Sequence, residues 1–360
     1  MVEVRDLIRW MLEKHPDIVQ GYKGNDHNDK ERLNPFHLEG DCWTHLCMVM
    51  MCARDRMVSD TVKYSALFHD LGKIYTRRIK NPEKRWVSFT GHEGVSVWRS
   101  IDYLGELGVR GDQLIRCLQI ISLHTELYKI AGSKESNLEN GVIDPKFYRK
   151  FKYNKDLVKD LVQHTMCDGM GRFSDQTDVL RGFSGFMEYF IEELEDHKEY
   201  EEPWKRNSIT LMIGLPCSGK STYVENIRTD EVVLSRDVLV EEYAQEHNLT
   251  YNDAFIETGK GLDRQFNEAL NEALKDSSNI IIDRTHMSAS SRRRALSRVP
   301  RAYIKKAVVV LAPWSTIQAR EKTRRSTGKS IPGSVYDSMM QTFMVPLYDE
   351  FDHIEYIFQE

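Results

Sequence analysis

The sequence predicts two folded units of different class: an all-α helical domain over residues 1–203, then an α/β domain with a parallel sheet over residues 204–360. Three observations carry this. A length of 360 residues suits about two domains, each able to bury its own core. Before Pro203, apolar residues recur at helical spacing. After it, short β-branched runs alternate with helical stretches, the pattern of a parallel sheet covered by helices.

Taken in order, Asp41 is placed to cap a helix through His45, Cys47, Met48 and Met51, and Val62 to Leu71 continues at the same spacing. Asp112 is placed to cap a helix whose apolar face is Leu114, Ile115, Leu118 and Ile121. Leu157, Val158, Leu161, Val162 and Thr165 mark another. The polar stretch from Ala131 to Gly141 reads as an exposed loop, and the acidic stretch ending in Glu201, Glu202 and Pro203 as a last helix and a linker. Beyond it, Ile209–Ile213, Val232–Leu234, Ile280–Ile282 and Ala307–Leu311 read as strands. There is no internal repeat and no low-complexity tract.

Composition limits the function classes. No apolar run approaches the ~18 residues of a membrane span, and Glu3, Arg5, Asp6 and Arg9 interrupt any secretory core at the N-terminus. Six cysteines form no CxxC pair, which fits reduced thiols in a cytoplasm. A net charge of -5 excludes a protein that is basic all over. From Ser291 to Lys329, however, 12 Lys/Arg face one acid, Glu321, whereas Gly185 to Glu202 holds eight acids and one Lys. That asymmetry points to a local polyanion site, or to two solvated helix faces of opposite sign.

The segment Gly214-Leu215-Pro216-Cys217-Ser218-Gly219-Lys220-Ser221-Thr222 fits G-x-x-x-x-G-K-S between an expected strand and an expected helix. Glycines let backbone amides wrap phosphates, Lys220 reaches the β- and γ-phosphates, and Ser221 can ligate Mg²⁺. The expected cofactor is ATP, or another nucleoside triphosphate, with Mg²⁺. Asp237, after Ser235 and Arg236, ends the next strand, where a carboxylate can take a proton from an attacking hydroxyl or simply cap a helix. Asp283 ends the strand after that and is placed near the Mg²⁺, directly or through water. Arg320, Arg324 and Arg325 share a helical segment before a Gly/Ser/Pro turn; they read as lid arginines or as an ordinary basic face. The ordered set GLPCSGKST, SRD, IIDRTH and RxxxRR…SIPxSV resembles the polynucleotide 5′-kinase branch of P-loop phosphotransferases, from about Ser208 to Asp349. The resemblance implies Asp237 as general base toward a 5′-hydroxyl, and Arg324 with Arg320 on a lid. In one respect the chain departs: phage-type members carry an arginine three residues after the base aspartate, and here that residue is Val240. Arg236 is then the nearest candidate for the acceptor phosphate, and Arg292 is expected to hold the acceptor strand.

In the helical half, His69 and Asp70 sit in Ala66-Leu-Phe-His-Asp-Leu-Gly-Lys73, with His45 upstream and His92, His124 and Asp168 downstream. Imidazoles and carboxylates suit divalent transition metals, and the order His…His-Asp…His…His…Asp resembles the ligand set of an HD phosphohydrolase, which implies two ions with Asp70 bridging. Lys73, with Arg77 or Arg78, can hold a substrate phosphate. His15, His27, His37 and His164 read as structural or surface. Lys146 to Tyr153 interleaves basic and aromatic residues; it suits a single-stranded end or the start of an amphipathic helix equally. From Asp41 to Arg172, the DCWTH, HDLGK and GHE motifs with the late Asp168 resemble HD domains of the tRNA-nucleotidyltransferase-associated type. That resemblance implies action on 2′,3′-cyclic or terminal phosphates of RNA. The nucleotidyltransferase motif and the GYP motif are absent.

The fused order resembles the bacterial HD–polynucleotide kinase family. It implies a bifunctional end-healing enzyme that phosphorylates 5′-hydroxyl ends and removes 2′,3′-cyclic, 2′- or 3′-phosphates, acting on RNA or DNA ends ahead of a separate polynucleotide ligase. A small-metabolite or nucleoside kinase fused to an HD nucleotidase, and a nucleotide-sensing module without turnover, remain alternatives at this point.

Overall fold

A computed structural model describes residues 2–80, 83, 85–131, 133, 142–174, 187, 190–196, 207–259, 261–326 and 329–359. The expected loop at 134–141 and the linker at 201–203 lie outside the described residues. By its contacts the chain divides into two compact units, Met1–His197 with Gln341–Val345, and Lys198–Met340 with Pro346–Glu360.

The first unit is helical: α1 (Val4–Lys14), α2 (Pro16–Lys23), α3 (Cys42–Asp55), α4 (Asp60–Phe68), α5 (Lys73–Thr76), α6 (His92–Glu106), α7 (Gly111–Leu123), α8 (Glu126–Ala131), α9 (Pro145–Phe151) and α10 (Lys155–Met170). A hairpin of β1 (Arg78–Lys80) and β2 (Trp86–Ser88) interrupts it. Asp41 caps α3, accepting from the Thr44 amide at 2.8 Å, and Ser59 caps α4. Asp112 is not a cap: α7 begins at Gly111, and Asp112 lies in its first turn, where a carboxylate favours the positive end of the helix dipole. Helix α4 packs against α3, α7 and α10. Leu46, Val49 and Met50 from α3, Ala66 and Leu67 from α4, Leu118 and Ile121 from α7, and Val158 and Leu161 from α10 are fully buried at that junction. Each large side chain there stabilises by about 1.5–3 kcal/mol.

This packing gathers helix ends. His69 follows the last residue of α4, His92 opens α6, His124 follows α7, and Asp168 lies in the last turn of α10. In α9, Phe151 is buried and Lys150 pairs with Glu126, so part of the basic-aromatic tract is helix core.

The second unit is α/β. Its sheet, in order β4-β5-β3-β6-β7, is parallel throughout: β3 (Asn207–Ile213), β4 (Val232–Ser235), β5 (Ile280–Asp283), β6 (Tyr303–Leu311) and β7 (His353–Phe358). The helices are α11 (Lys220–Ile227), α12 (Arg236–Glu246), α13 (Tyr251–Thr258), α14 (Gly261–Lys275), α15 (Ala289–Leu296), α16 (Trp314–Arg325) and α17 (Gly333–Thr342). The expected strands are all present. Strand β7 was not expected: His353–Phe358 is a short, half-buried edge strand whose apolar residues are interrupted by His353 and Glu355. No helix among the described residues is long and apolar enough to cross a membrane.

Gly72 shows how tightly the turn after α4 approaches α6. A Cβ there would lie 2.1 Å from the His92 carbonyl oxygen and 2.9 Å from the Ser96 amide nitrogen, both backbone atoms. The Gly72 amide also donates to Ser96 Oγ at 2.7 Å. Gly72→Ala should therefore push α6 away and destabilise the helical unit by roughly 1–3 kcal/mol, measured by chemical denaturation. An unchanged midpoint would show that α6 yields freely.

Candidate functional sites

In the helical unit six side chains converge. His45, His69 and Asp168 place one ligand atom each within 4.8 Å of one another, and so do Asp70, His92 and His124. Asp70 divides its oxygens between the two sets. Oδ2 lies 3.6 Å from His45 Nε2 and 3.3 Å from His69 Nε2; Oδ1 lies 3.3 Å from His92 Nε2 and 3.8 Å from His124 Nε2. The sequence-chosen set is thus brought together complete, with Asp70 between its halves.

The outer nitrogens explain why the inner ones face inward. His69, His92 and His124 each place Nδ1 on the carbonyl three residues earlier, Ala66, Phe89 and Ile121, at 2.8–2.9 Å. A carbonyl only accepts, so Nδ1 carries the proton and Nε2 a lone pair. His45 Nδ1 meets Glu39 Oε1 at 3.1 Å. The Nε2 atoms of His92 and His124 then face each other at 3.1 Å, a repulsive arrangement unless a cation or proton lies between them. His69 Nε2 is buried without a hydrogen-bond partner. Lone pairs crowded at one point, beside two buried carboxylates, are what a divalent-metal centre offers, so the residues fit such ions.

Electrostatics set these groups apart. Burial would raise the Asp70 carboxyl, but His69 and Lys73 hold it well below its usual range. Asp168 is held down likewise by His45 and Arg172. Burial, with the neighbouring His92 and His69 rings, pushes His124 down to about 4. Burial would also lower His45, yet Asp168 and Glu39 carry it up to about 9.

Lys73, expected on a substrate phosphate, sits buried with Nζ 2.7 Å from Asp70 Oδ2 and 2.9 Å from His27 Nε2. Around this centre also lie residues that sequence reasoning left aside. The His27 and His37 rings stack at 4.0 Å, and His37 Nδ1 meets Glu39 at 2.8 Å. His164, fully buried, packs 5.1 Å from the His69 ring. Arg172 lies one helical turn past Asp168, and His164 one turn before it; that spacing from a ligand was the available signal. Arg77 is engaged elsewhere, on the Asp26 and Asn28 carbonyls.

In the second unit the P-loop leaves the C-terminal end of central strand β3. Gly214 has φ +152°, and a Cβ there would lie 2.5 Å from the Val310 carbonyl oxygen, so only glycine fits. Lys220 Nζ donates to the Gly214 and Leu215 carbonyls at 3.1 and 2.8 Å, curled beneath the loop. Ser221 Oγ donates to Asp283 Oδ2 at 2.7 Å, joining the two expected Mg²⁺ residues. Arg320 donates to the Cys217 carbonyl at 3.3 Å, and the charge of Asp237 acts on both Lys220 and Arg324. Asp237 lies in the first turn of α12 and accepts from Tyr251 Oη at 2.9 Å. Thr222 is exposed at the start of α11.

Two basic residues named from the sequence are engaged within the protein. Arg236 donates to the Gly259 carbonyl and lies 3.5 Å from Asp263. Arg292, expected on the acceptor strand, is fully buried; it pairs in two-pronged fashion with Glu350, at 2.9 and 2.6 Å. It is a structural ion pair, and the charge count could not reveal it because Glu350 lies 58 residues away. Val240 is also fully buried, packed with Ala244, Ala254 and Leu262, so no arginine could occupy that position without displacing this cluster.

Residues 209–346 match a family described as an AAA domain. With the parallel sheet and the P-loop geometry, this marks the C-terminal unit as a P-loop kinase-like domain, and hence the chain as an enzyme. A multifunctional CCA protein of Nitrosospira multiformis is 26% identical over 182 residues, 47% of this chain and 41% of that protein. The chain therefore spans less than half the length of that relative. Among solved structures, a candidate kinase from Chloroflexus aurantiacus is similar at 14% identity and TM-score 0.33, over 42% of this chain and 88% of that one. A sugar kinase from Janibacter sp. HTCC2649 is similar at 16% identity and TM-score 0.28, over 43% and 85%.

Two expectations test these sites. Glu39→Gln should weaken metal binding to the helical unit about 10–100-fold in calorimetric titration, since Glu39 orients His45; wild-type affinity would remove it from that role. Arg292→Ala should destabilise the α/β unit by about 3–5 kcal/mol by stranding Glu350, with the loss read in denaturation. A stable variant with weakened strand binding would restore the original reading of Arg292.

Proposed function

We propose that the chain is a bifunctional nucleic-acid end-healing enzyme, with a 5′-hydroxyl polynucleotide kinase in the C-terminal unit and an HD-type phosphohydrolase in the N-terminal unit. The observation that carries this reading is the presence of two chemically separate centres with no residue in common. One is a convergent His/Asp cluster and the other a P-loop with its acid and lid arginines. The motif order resembling polynucleotide kinases and the likeness to a multifunctional CCA protein favour nucleic-acid ends over small metabolites.

In the kinase, the P-loop amides and Lys220 hold the β- and γ-phosphates of ATP or another nucleoside triphosphate. Ser221 and Asp283 would hold Mg²⁺, directly or through water, which offsets phosphate charge. The 5′-hydroxyl oxygen bonds to the γ-phosphorus as the bridging bond to the β-phosphate breaks. Asp237 takes the hydroxyl proton, and the nucleoside diphosphate leaves. Arg320 and Arg324 neutralise the charge spread over the transferring group.

In the hydrolase, His45, His69, Asp70, His92, His124 and Asp168 would hold divalent transition ions, two being expected. When bound, such ions supply Lewis acidity and ease formation of a nucleophile from water. Lys73 and Arg172 supply cations beside this cluster that would hold the phosphate of a 2′,3′-cyclic, 2′- or 3′-phosphate end. The product of both reactions is an end that a polynucleotide ligase can join. The domain division at residues 203 and 204 and a cytoplasmic location belong to the same reading.

Both assays on each single variant test it. Lys220→Ala or Asp237→Ala should lower 5′ phosphorylation at least ~100-fold and leave phosphate removal intact; Asp70→Ala should do the reverse. Arg324→Ala should lower kinase kcat by about 100-fold or more. Loss of both activities in a folded Asp70→Ala protein would replace two sites with one composite site. Turnover of nucleosides but of no oligonucleotide would make it a small-metabolite kinase.

A further inference from the structure

We propose that α13 is the acceptor platform of the kinase: the terminal nucleobase of a single-stranded 5′-hydroxyl end stacks on Phe255, while Tyr251 fixes the Asp237 carboxylate that meets the hydroxyl. This rests on the reading of the C-terminal unit as a 5′-hydroxyl kinase.

Phe255 is 47% exposed, although an aromatic of its size normally seeks the core. Beside it Ile256 is 78% exposed. One helical turn back, the Tyr251 ring lies 6.2 Å from Phe255 and is inclined to it by only 26°. Cations flank both rings. The Arg236 guanidinium lies 4.8 Å from the Phe255 centroid, fixed by the Gly259 carbonyl and Asp263. Lys329 Nζ and the Arg324 guanidinium lie 5.1 and 5.9 Å from the Tyr251 centroid. Both rings carry cations over them, and the exposed part of Phe255 leaves π-surface beside those cations, which is what a base with its phosphate requires, whatever its sequence. A terminal base with no complement turns onto the ring without unpairing, which favours a single-stranded end.

Tyr251 joins this platform to the chemistry. Its hydroxyl donates to Asp237 Oδ1 at 2.9 Å, leaving Oδ2 for the incoming hydroxyl. Burial and the Asp237 charge push the phenol above its usual range, so it remains a donor. Asn252 Nδ2 donates to Ser330 Oγ at 3.3 Å, tying the first turn of α13 to the segment after α16. The arrangement also accounts for Val240: with that position in the core, the end is held through its base on α13. Tyr251 is a positioning residue; Phe255 is a binding residue.

The test uses the full chain, ATP and a single-stranded 5′-hydroxyl oligonucleotide, with steady-state kinetics in both substrates. Phe255→Ala should raise the acceptor KM about 5–100-fold and leave the ATP KM unchanged, which also reports a folded nucleotide site. An oligonucleotide with an abasic first nucleotide should cost the wild type the same factor and the variant nothing further. Tyr251→Phe, which keeps the ring, should lower kcat about 10-fold at unchanged acceptor KM. An unchanged acceptor KM in Phe255→Ala, or additive losses with the abasic end, would overturn the platform. Wild-type kcat in Tyr251→Phe would overturn the positioning role. A wild-type protein that phosphorylates no 5′ end would overturn the kinase reading itself, and the platform with it.

Discussion

Asp70 lies fully buried among four imidazoles, and the way its carboxylate is shared sets the design of the helical unit. One oxygen faces His45 and His69, the other His92 and His124. Such a charge is tolerated away from water only if cations and hydrogen bonds replace the solvent. Lys73 supplies one cation directly. The remaining demand explains why four helices end or begin at this point. A helix end supplies a carbonyl three residues before its last histidine, and that carbonyl takes Nδ1–H. The ring then presents Nε2 inward without any further support. His69 and His124 use this device at helix C-termini, and His92 uses a loop carbonyl in the same register.

The C-terminal unit solves a different problem with backbone alone. Its central strand must end in a loop whose amides face a polyanion, so the chain turns where Gly214 and Gly219 permit positive φ. Lys220 bonds to the loop's own carbonyls, which keeps a buried ammonium satisfied until phosphate oxygens can replace them. Ser221 and Asp283 come from adjacent strand ends, one after β3 and one closing β5. The parallel sheet alone makes them neighbours, because all its strands deliver their C-terminal ends to the same edge.

The basic stretch shows how composition and structure part. Of its twelve cations, Arg320 reaches the P-loop and Arg324 lies within range of Asp237. Arg325 pairs with Glu321. Arg292 is spent inside the core on Glu350. Charge density along the chain therefore described the segment but not its roles, since an arginine's partner can come from any distance in sequence.

What the sequence by itself determined is what local chemistry encodes. The P-loop, the strand-helix alternation and the Asp41 cap are read from residue type and spacing, because each depends on a backbone conformation or a donor within a few positions, and the six candidate ligands are read from residue type and their order. The tertiary structure decided the rest. It placed Glu39 behind His45, His164 against His69, Tyr251 on Asp237, Val240 in a core cluster and β7 beside β6. None of these has a local signature. Glu39 and Tyr251 are ordinary surface-type residues until packing brings a histidine or an aspartate to them. The edge strand is short and half-buried, and its broken apolar pattern does not separate it from loop. Such pairings follow from which helix end or strand meets which, and that is fixed only when the cores close.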